Sequence, residues 1–169
     1  MKKYFLSLLI GFLFFGTAFS QIKKVNIDVS GDFEVVIKIR DGSVTVSTFG
    51  EVVDVELDGS TSYNSSGKIS YVGSTSFSYN SSGKISYIGS ISISYNSSGK
   101  ISYVGSTSIS YNSSGKVSYV GSTSISYNSS GKVSYIGSNS YSYNSSGKIS
   151  YGNRVVSCNG ITFSLKSGY

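Results

Sequence analysis

The chain has no histidine, no proline and no tryptophan, and a single cysteine, Cys158. Without histidine there is no imidazole to serve a serine or cysteine nucleophile, and the commonest metal ligand is missing. Without proline no strand loses a ladder hydrogen bond to a ring nitrogen. One cysteine cannot build an internal disulfide framework. Acids are absent from Gly59 onward: all eight lie between Asp28 and Asp58, while the remainder carries seven lysines and Arg154. Beyond the first twenty residues no long apolar run occurs, and no apolar residues recur at helical spacing. These absences exclude a helical fold and argue against an enzyme. What remains is glycine, serine, tyrosine and asparagine, a mixture suited to short strands and tight turns.

The first segment, MKKYFLSLLIGFLFFGTAFSQ, reads as a signal peptide. Lys2 and Lys3 supply the positive start, and Tyr4 to Phe15 is an apolar stretch too short to span a membrane comfortably. Ala18-Phe19-Ser20 places small residues at the cleavage positions, so cleavage before Gln21 is expected. The predicted address is secreted, periplasmic or on the outer cell surface. The rest divides into starting strands (21–62), six repeats (63–151) and a closing hairpin (152–169).

YNSSGK begins at Tyr63, Tyr79, Tyr95, Tyr111, Tyr127 and Tyr143, always sixteen residues apart. Such a period means one supersecondary unit stacked on its neighbours. Asn96-Ser97-Ser98-Gly99 has asparagine where a type I turn favours it and glycine where the left-handed conformation is needed. That predicts a three-residue hairpin loop with a glycine bulge. The structural turn glycines are then Gly67, Gly83, Gly99, Gly115, Gly131 and Gly147. Reading Gly105-Ser106-Thr107 as a second three-residue loop puts Tyr95, Tyr103, Ile93 and Ile101 on one face. Ser92, Ser94, Lys100, Ser102 and Val104 fall on the other. Tyrosines and aliphatics then alternate across strands as stabilising pairs. Phe77, Ile93, Ile109, Ile125 and Tyr141 share one slot and keep it apolar.

Asp41-Gly42 reads as a two-residue turn aligning Ile39 with Val44 and Ile37 with Val46. Asn159-Gly160 aligns Cys158 with Ile161 and Val156 with Phe163. The expectation is an all-β chain, an antiparallel meander of sixteen-residue hairpins in a long twisted or curled sheet, each copy coupled to its two neighbours.

The stretch SISYNSSGKVSYVG resembles a YD repeat, the motif of Rhs and insecticidal-toxin shell proteins. That pattern runs tyrosine-aspartate, two variable residues, glycine, arginine and an aliphatic residue. Here asparagine stands for aspartate and lysine for arginine, six times over. The resemblance covers residues 63–151 and implies hairpin repeats in a spiralling sheet that acts as a shell or scaffold. This unit is shorter and more uniform, and no toxin domain accompanies it.

Candidate sites are few. Lys68, Lys84, Lys100, Lys116, Lys132 and Lys148 each follow a loop glycine. On adjacent hairpins they form a row at roughly 9.6 Å intervals, twice the strand spacing. Such a row suits an anionic polysaccharide, lipid or nucleic acid, or serves to discourage sheet stacking. Asp54 to Gly59 imitates the start of a calcium loop, but Ser65 stands where the closing glutamate belongs; a strand with acids outward and Val55 and Leu57 inward is the simpler reading. Cys158 shares a face with Val156 and Ile161, which suggests a buried small residue. An intermolecular disulfide is the alternative. Asn-Ser-Ser matches a glycosylation acceptor, yet the turn already explains it. Nothing points to a cofactor, a metal or a specific nucleic acid. Strands of about five residues are too short for a membrane-spanning barrel.

The sequence therefore reads as an exported, non-catalytic repeat protein, a structural scaffold or a cell-surface interaction protein. A self-assembling fibre subunit is the alternative, and a carbohydrate-binding module a weaker one. Self-association and anionic polysaccharide are the partners it suggests.

Overall fold

The computed structural model describes residues 21–40 and 42–166. The leader over residues 1–20 lies outside them, as does Asp41 of the expected Asp41-Gly42 turn. The described residues contain strands and no helix, so none is long and apolar enough to cross a membrane.

The chain opens with β1 (Ile22–Asp28), β2 (Phe33–Ile39), β3 (Gly42–Ser47) and β4 (Val52–Leu57). The repeats follow as β5 (Thr61–Tyr63), β6 (Ile69–Val72), β7 (Thr75–Tyr79), β8 (Ile85–Ile88), β9 (Ile91–Tyr95) and β10 (Ile101–Val104). They continue as β11 (Thr107–Tyr111), β12 (Val117–Val120), β13 (Thr123–Tyr127), β14 (Val133–Ile136) and β15 (Asn139–Ser140). The last copy adds β16 (Ser142–Tyr143) and β17 (Ile149–Tyr151), and the chain closes with β18 (Val155–Cys158) and β19 (Ile161–Lys166).

Strands β5 to β15 form one antiparallel, eleven-stranded meander in chain order, and β16 pairs with β17 alone. The flanking strands do not extend this meander. They separate into a six-stranded sheet of order β18-β19-β1-β2-β3-β4, in which β19 runs parallel to β1. The two sheets share one apolar core and are not closed into a barrel. From the six-stranded sheet Val25, Ile27, Val35, Ile37, Val44 and Phe163 are fully buried; Ile85, Ile101, Val117 and Val133 meet them from the repeats. The physical reason is exposure: a sheet with one apolar face must pair to hide it.

Each repeat contains the expected loop. Asn96 O accepts from Gly99 N at 2.9 Å, Gly99 has φ +74°, and Asn96 N donates to Lys100 O at 2.9 Å. Asn96 Oδ1 accepts from Lys100 N at 3.0 Å, which explains asparagine at this position. Tyr95 stands opposite Ile101, as the three-residue loop requires.

Beyond Ile101 the register departs from the expectation. The ladder shifts between Ile101 and Tyr103, leaving Ser102 as a bulge residue; Tyr103 then faces Ser94, and Val104 faces Ile93. The second loop has two residues, Gly105-Ser106, with Val104 opposite Thr107 and Gly105 at φ +55°. A positive φ at the first of two turn residues matches the twist of the flanking strands. The residue saved in the turn reappears in the bulge, so the sixteen-residue period is unchanged. The faces are not: Val104 is fully buried and Tyr103 is 49% exposed, the reverse of the sequence expectation. The shared slot is buried at all five of its apolar positions, with 3–5% exposure for Phe77, Ile93, Ile109, Ile125 and Tyr141.

In the six-stranded sheet, Ile39 pairs with Gly42 and Ile37 with Val44, two residues from the expected alignment, so each side chain keeps its face. Asn159 (φ +50°) and Gly160 (φ +78°) form the expected turn, with Cys158 opposite Ile161 and Val156 opposite Phe163.

Candidate functional site

Two periodic features result: a row of tyrosines on the outer face and a ladder of lysines along the Asn-Ser-Ser-Gly loops. The outer row comprises Tyr71, Tyr87, Tyr103, Tyr119, Tyr135 and Tyr151, between 48% and 67% exposed. The bulge places each of them there. Tyr103 is flanked across the sheet by Ser94 and Ser108, and Tyr119 by Ser110 and Ser124. Neighbouring rings along the row are two strands apart, roughly 9.6 Å. The result is a regular aromatic surface set in hydroxyl groups.

Five other repeat tyrosines serve the fold. Tyr111 Oη donates to Ile101 O at 2.7 Å, and Tyr79, Tyr95, Tyr127 and Tyr143 repeat the bond ten residues back. Burial raises these phenols above their ordinary pKa, Tyr95 to about 12. Asp28 and Asp32 add to that shift at Tyr127. Three of the rings meet the six-stranded sheet or its loops. Tyr111 lies 6.0 Å from the Phe33 ring, Tyr95 packs on Gly50, and Tyr127 packs on Gly31. Gly50 is needed for this approach, because a methyl group there runs into the Tyr95 ring. Backbone bonds fix the same contact: Ile85 N donates to Gly50 O, Ile101 N to Thr48 O and Val133 N to Val29 O, at 2.9–3.1 Å.

The lysines do not stand out as free cations. Lys84 Nζ donates to Gly99 O at 2.6 Å and lies 5.2 Å from the Tyr95 ring, and Phe49 approaches the same ammonium at 5.8 Å. Lys68, Lys100, Lys116 and Lys132 make the same bond to Gly83, Gly115, Gly131 and Gly147. Each lysine thus reaches forward one copy, to the next loop's carbonyl and the next tyrosine ring. Lys148 has no following copy, and it is the exposed member of the six.

The remaining candidates are placed simply. Asp54 and Glu56 point outward from β4, with Val55 and Leu57 partly buried. Cys158 is half-buried and free, with Asn139 Nδ2 3.7 Å from its sulfur. The sequence reading missed the outer tyrosines and Phe49. A signal was present: Tyr103 and Val104 are adjacent, so a regular strand cannot bury both. Gly105-Ser106 is itself a two-residue turn signal.

Comparison with protein-family models, curated proteins and solved structures finds no match to the chain.

Proposed function

We propose that the protein is an exported, non-catalytic scaffold at the cell surface, and that the outer tyrosine face is the surface it presents for interaction. The observation that carries this reading is the row of six half-exposed tyrosines at a fixed interval. Soluble proteins rarely leave large aromatic side chains in an ordered array without using them. The core does not need these rings, since Val104 and its counterparts fill it. The partner class that suits the face is a polymer with its own repeat. Sugar rings have apolar faces that lie on aromatic rings and hydroxyls that meet the flanking serines. The lysines favour a structural role over an anionic-surface site, because five of the six ammoniums are engaged within the sheet. The leader supports export, and the likeness to YD repeats supports a scaffold.

The test is co-sedimentation with insoluble polysaccharides (cellulose, chitin, peptidoglycan). The wild-type chain is expected to pellet with at least one of them. A variant carrying Tyr87→Ser, Tyr103→Ser and Tyr119→Ser is expected to stay in solution with its circular dichroism unchanged. Wild-type protein that binds none of the panel, or a variant that binds equally well, contradicts the assignment of this face. Mass analysis of the exported chain should find Gln21 at its start.

A further inference from the structure

The two ends of the repeat sheet carry complementary halves of the contact that joins every pair of copies inside it. Within the chain that contact has three parts: a lysine ammonium on the next loop's glycine carbonyl, the same ammonium on the next tyrosine ring, and that tyrosine's hydroxyl on a carbonyl ten residues back. For Lys100 these are Gly115 O, the Tyr111 ring at 5.2 Å, and Tyr111 Oη on Ile101 O at 2.7 Å. At one end of the sheet the donor half is left over. Lys148 is exposed where the other five repeat lysines are half-buried, and Ile149 is half-buried where Ile85, Ile101, Val117 and Val133 are 0% exposed. At the other end the acceptor half is left over. Gly67 is exposed where its counterparts are half-buried, and Tyr63 is 64% exposed.

The backbone shows the same openness. Ser60 O and Asn64 N bond to the β6 side, so alternation turns the groups of Thr61 and Tyr63 outward from β5. β17 pairs with β16 only, through Ile149 and Tyr151, and Ser150 takes no part. Charge agrees. Glu51, Asp54, Glu56 and Asp58 are exposed on or beside β4, at the same end as β5, whereas Lys148 and Arg154 are exposed at the β17 end. Exposed valines flank both ends, Val53 at 53% and Val155 at 58%.

We propose that copies of this chain join head to tail, with β5 of one copy adding to β17 of the next. The repeat phase fixes the register. Lys148 takes Gly67 O and the Tyr63 ring of the neighbouring copy, and that Tyr63 hydroxyl takes Ile149 O. The contact uses different surfaces on the two partners, so two copies do not satisfy each other and assembly continues beyond the dimer. The tyrosine faces of successive copies then continue one row. This deepens the scaffold reading but is measured separately: a chain that binds no polysaccharide can still assemble, and a monomer can still bind.

Sedimentation velocity over a wide concentration range tests it. The wild-type mass is expected to grow beyond the dimer as concentration rises. Thr61→Pro blocks the β5 edge and Ser150→Pro the β17 edge, so each variant alone is expected to stay monomeric. Mixed in equal amounts they retain one good edge each and are expected to stop at a dimer. Lys148→Met and Tyr63→Ser, which leave the backbone alone, should each weaken association by about tenfold, the first through a lost charged hydrogen bond and the second through a lost phenol hydrogen bond and ammonium–ring contact. A wild-type chain that stays monomeric at all concentrations overturns the proposal. So does one that stops at a dimer, or a mixture that stays monomeric while the wild type grows.

Discussion

Gly67 and Ser66 sit side by side in the first repeat loop with different demands on them. Gly67 holds φ +73°, and nothing lies within 4 Å of where an added methyl group would sit. Gly67→Ala therefore isolates the backbone cost of the left-handed conformation, about 1–2 kcal/mol. Ser66 contributes its backbone N–H to Asn64 Oδ1 and no described side-chain bond. Ser66→Ala should shift stability by less than about 0.5 kcal/mol. Denaturant midpoints of the two variants check this, and equal losses contradict the loop assignment. This part of the fold was legible in the sequence because asparagine and glycine at that spacing have local reasons to be there. Gly50 was not legible in the same way. Its need is a ring from Tyr95, and that contact exists only once two sheets face each other.

The bulge at Ser102 decides which side of the strand matters. Tyr103 faces water and Val104 is fully buried, so Val104→Ser should cost about 2–4 kcal/mol through a lost apolar contact and a buried hydroxyl. Tyr103→Ser should cost no more than about 1 kcal/mol, the scale of a cross-strand pair. Thermal melts of the two variants distinguish this register from an unbulged one, in which the order is reversed. The period hid the answer, since a three-residue turn and a two-residue turn with a bulge use the same number of residues. The lysine row was visible as a spacing, but its direction was not. Lys84 is drawn along the sheet because the Gly99 carbonyl and the Tyr95 ring lie within reach on the adjacent hairpin. A spacing alone cannot distinguish that from a row reaching into solvent.

At the scale of the whole molecule, the copies are not independent. Besides its two neighbours, a copy meets the second sheet at fixed points: Gly50 on Ile85, Val29 on Val133, and Asn159 Nδ2 on Thr123 Oγ1 at 3.0 Å. Deleting residues 95–110 keeps the repeat phase, yet it moves the later anchor points by about one hairpin width, roughly 9.6 Å, relative to the earlier ones. Repeats coupled only to neighbours tolerate such a loss. This architecture predicts a large fall in melting temperature, and an unchanged melt contradicts the second sheet's clamping role. The pairing of β19 with β1 was beyond the sequence because it is parallel, joins the two ends of the chain and leaves no local pattern.

The central claim is that the repeats turn one set of tyrosines outward and the other inward, and limited tyrosine nitration read by peptide mass tests it most directly. Cleavage after lysine yields residues 69–84, 85–100, 101–116, 117–132 and 133–148, each with its own sequence and each with one outer tyrosine near its start and one inner tyrosine near its end; the last also carries the buried Tyr141. The structure predicts rapid nitration at Tyr71, Tyr87, Tyr103, Tyr119 and Tyr135 and protection at Tyr79, Tyr95, Tyr111, Tyr127 and Tyr143, whose hydroxyls are bonded to backbone carbonyls. Equal labelling of both sets in the folded protein, or faster labelling of the second set, contradicts it.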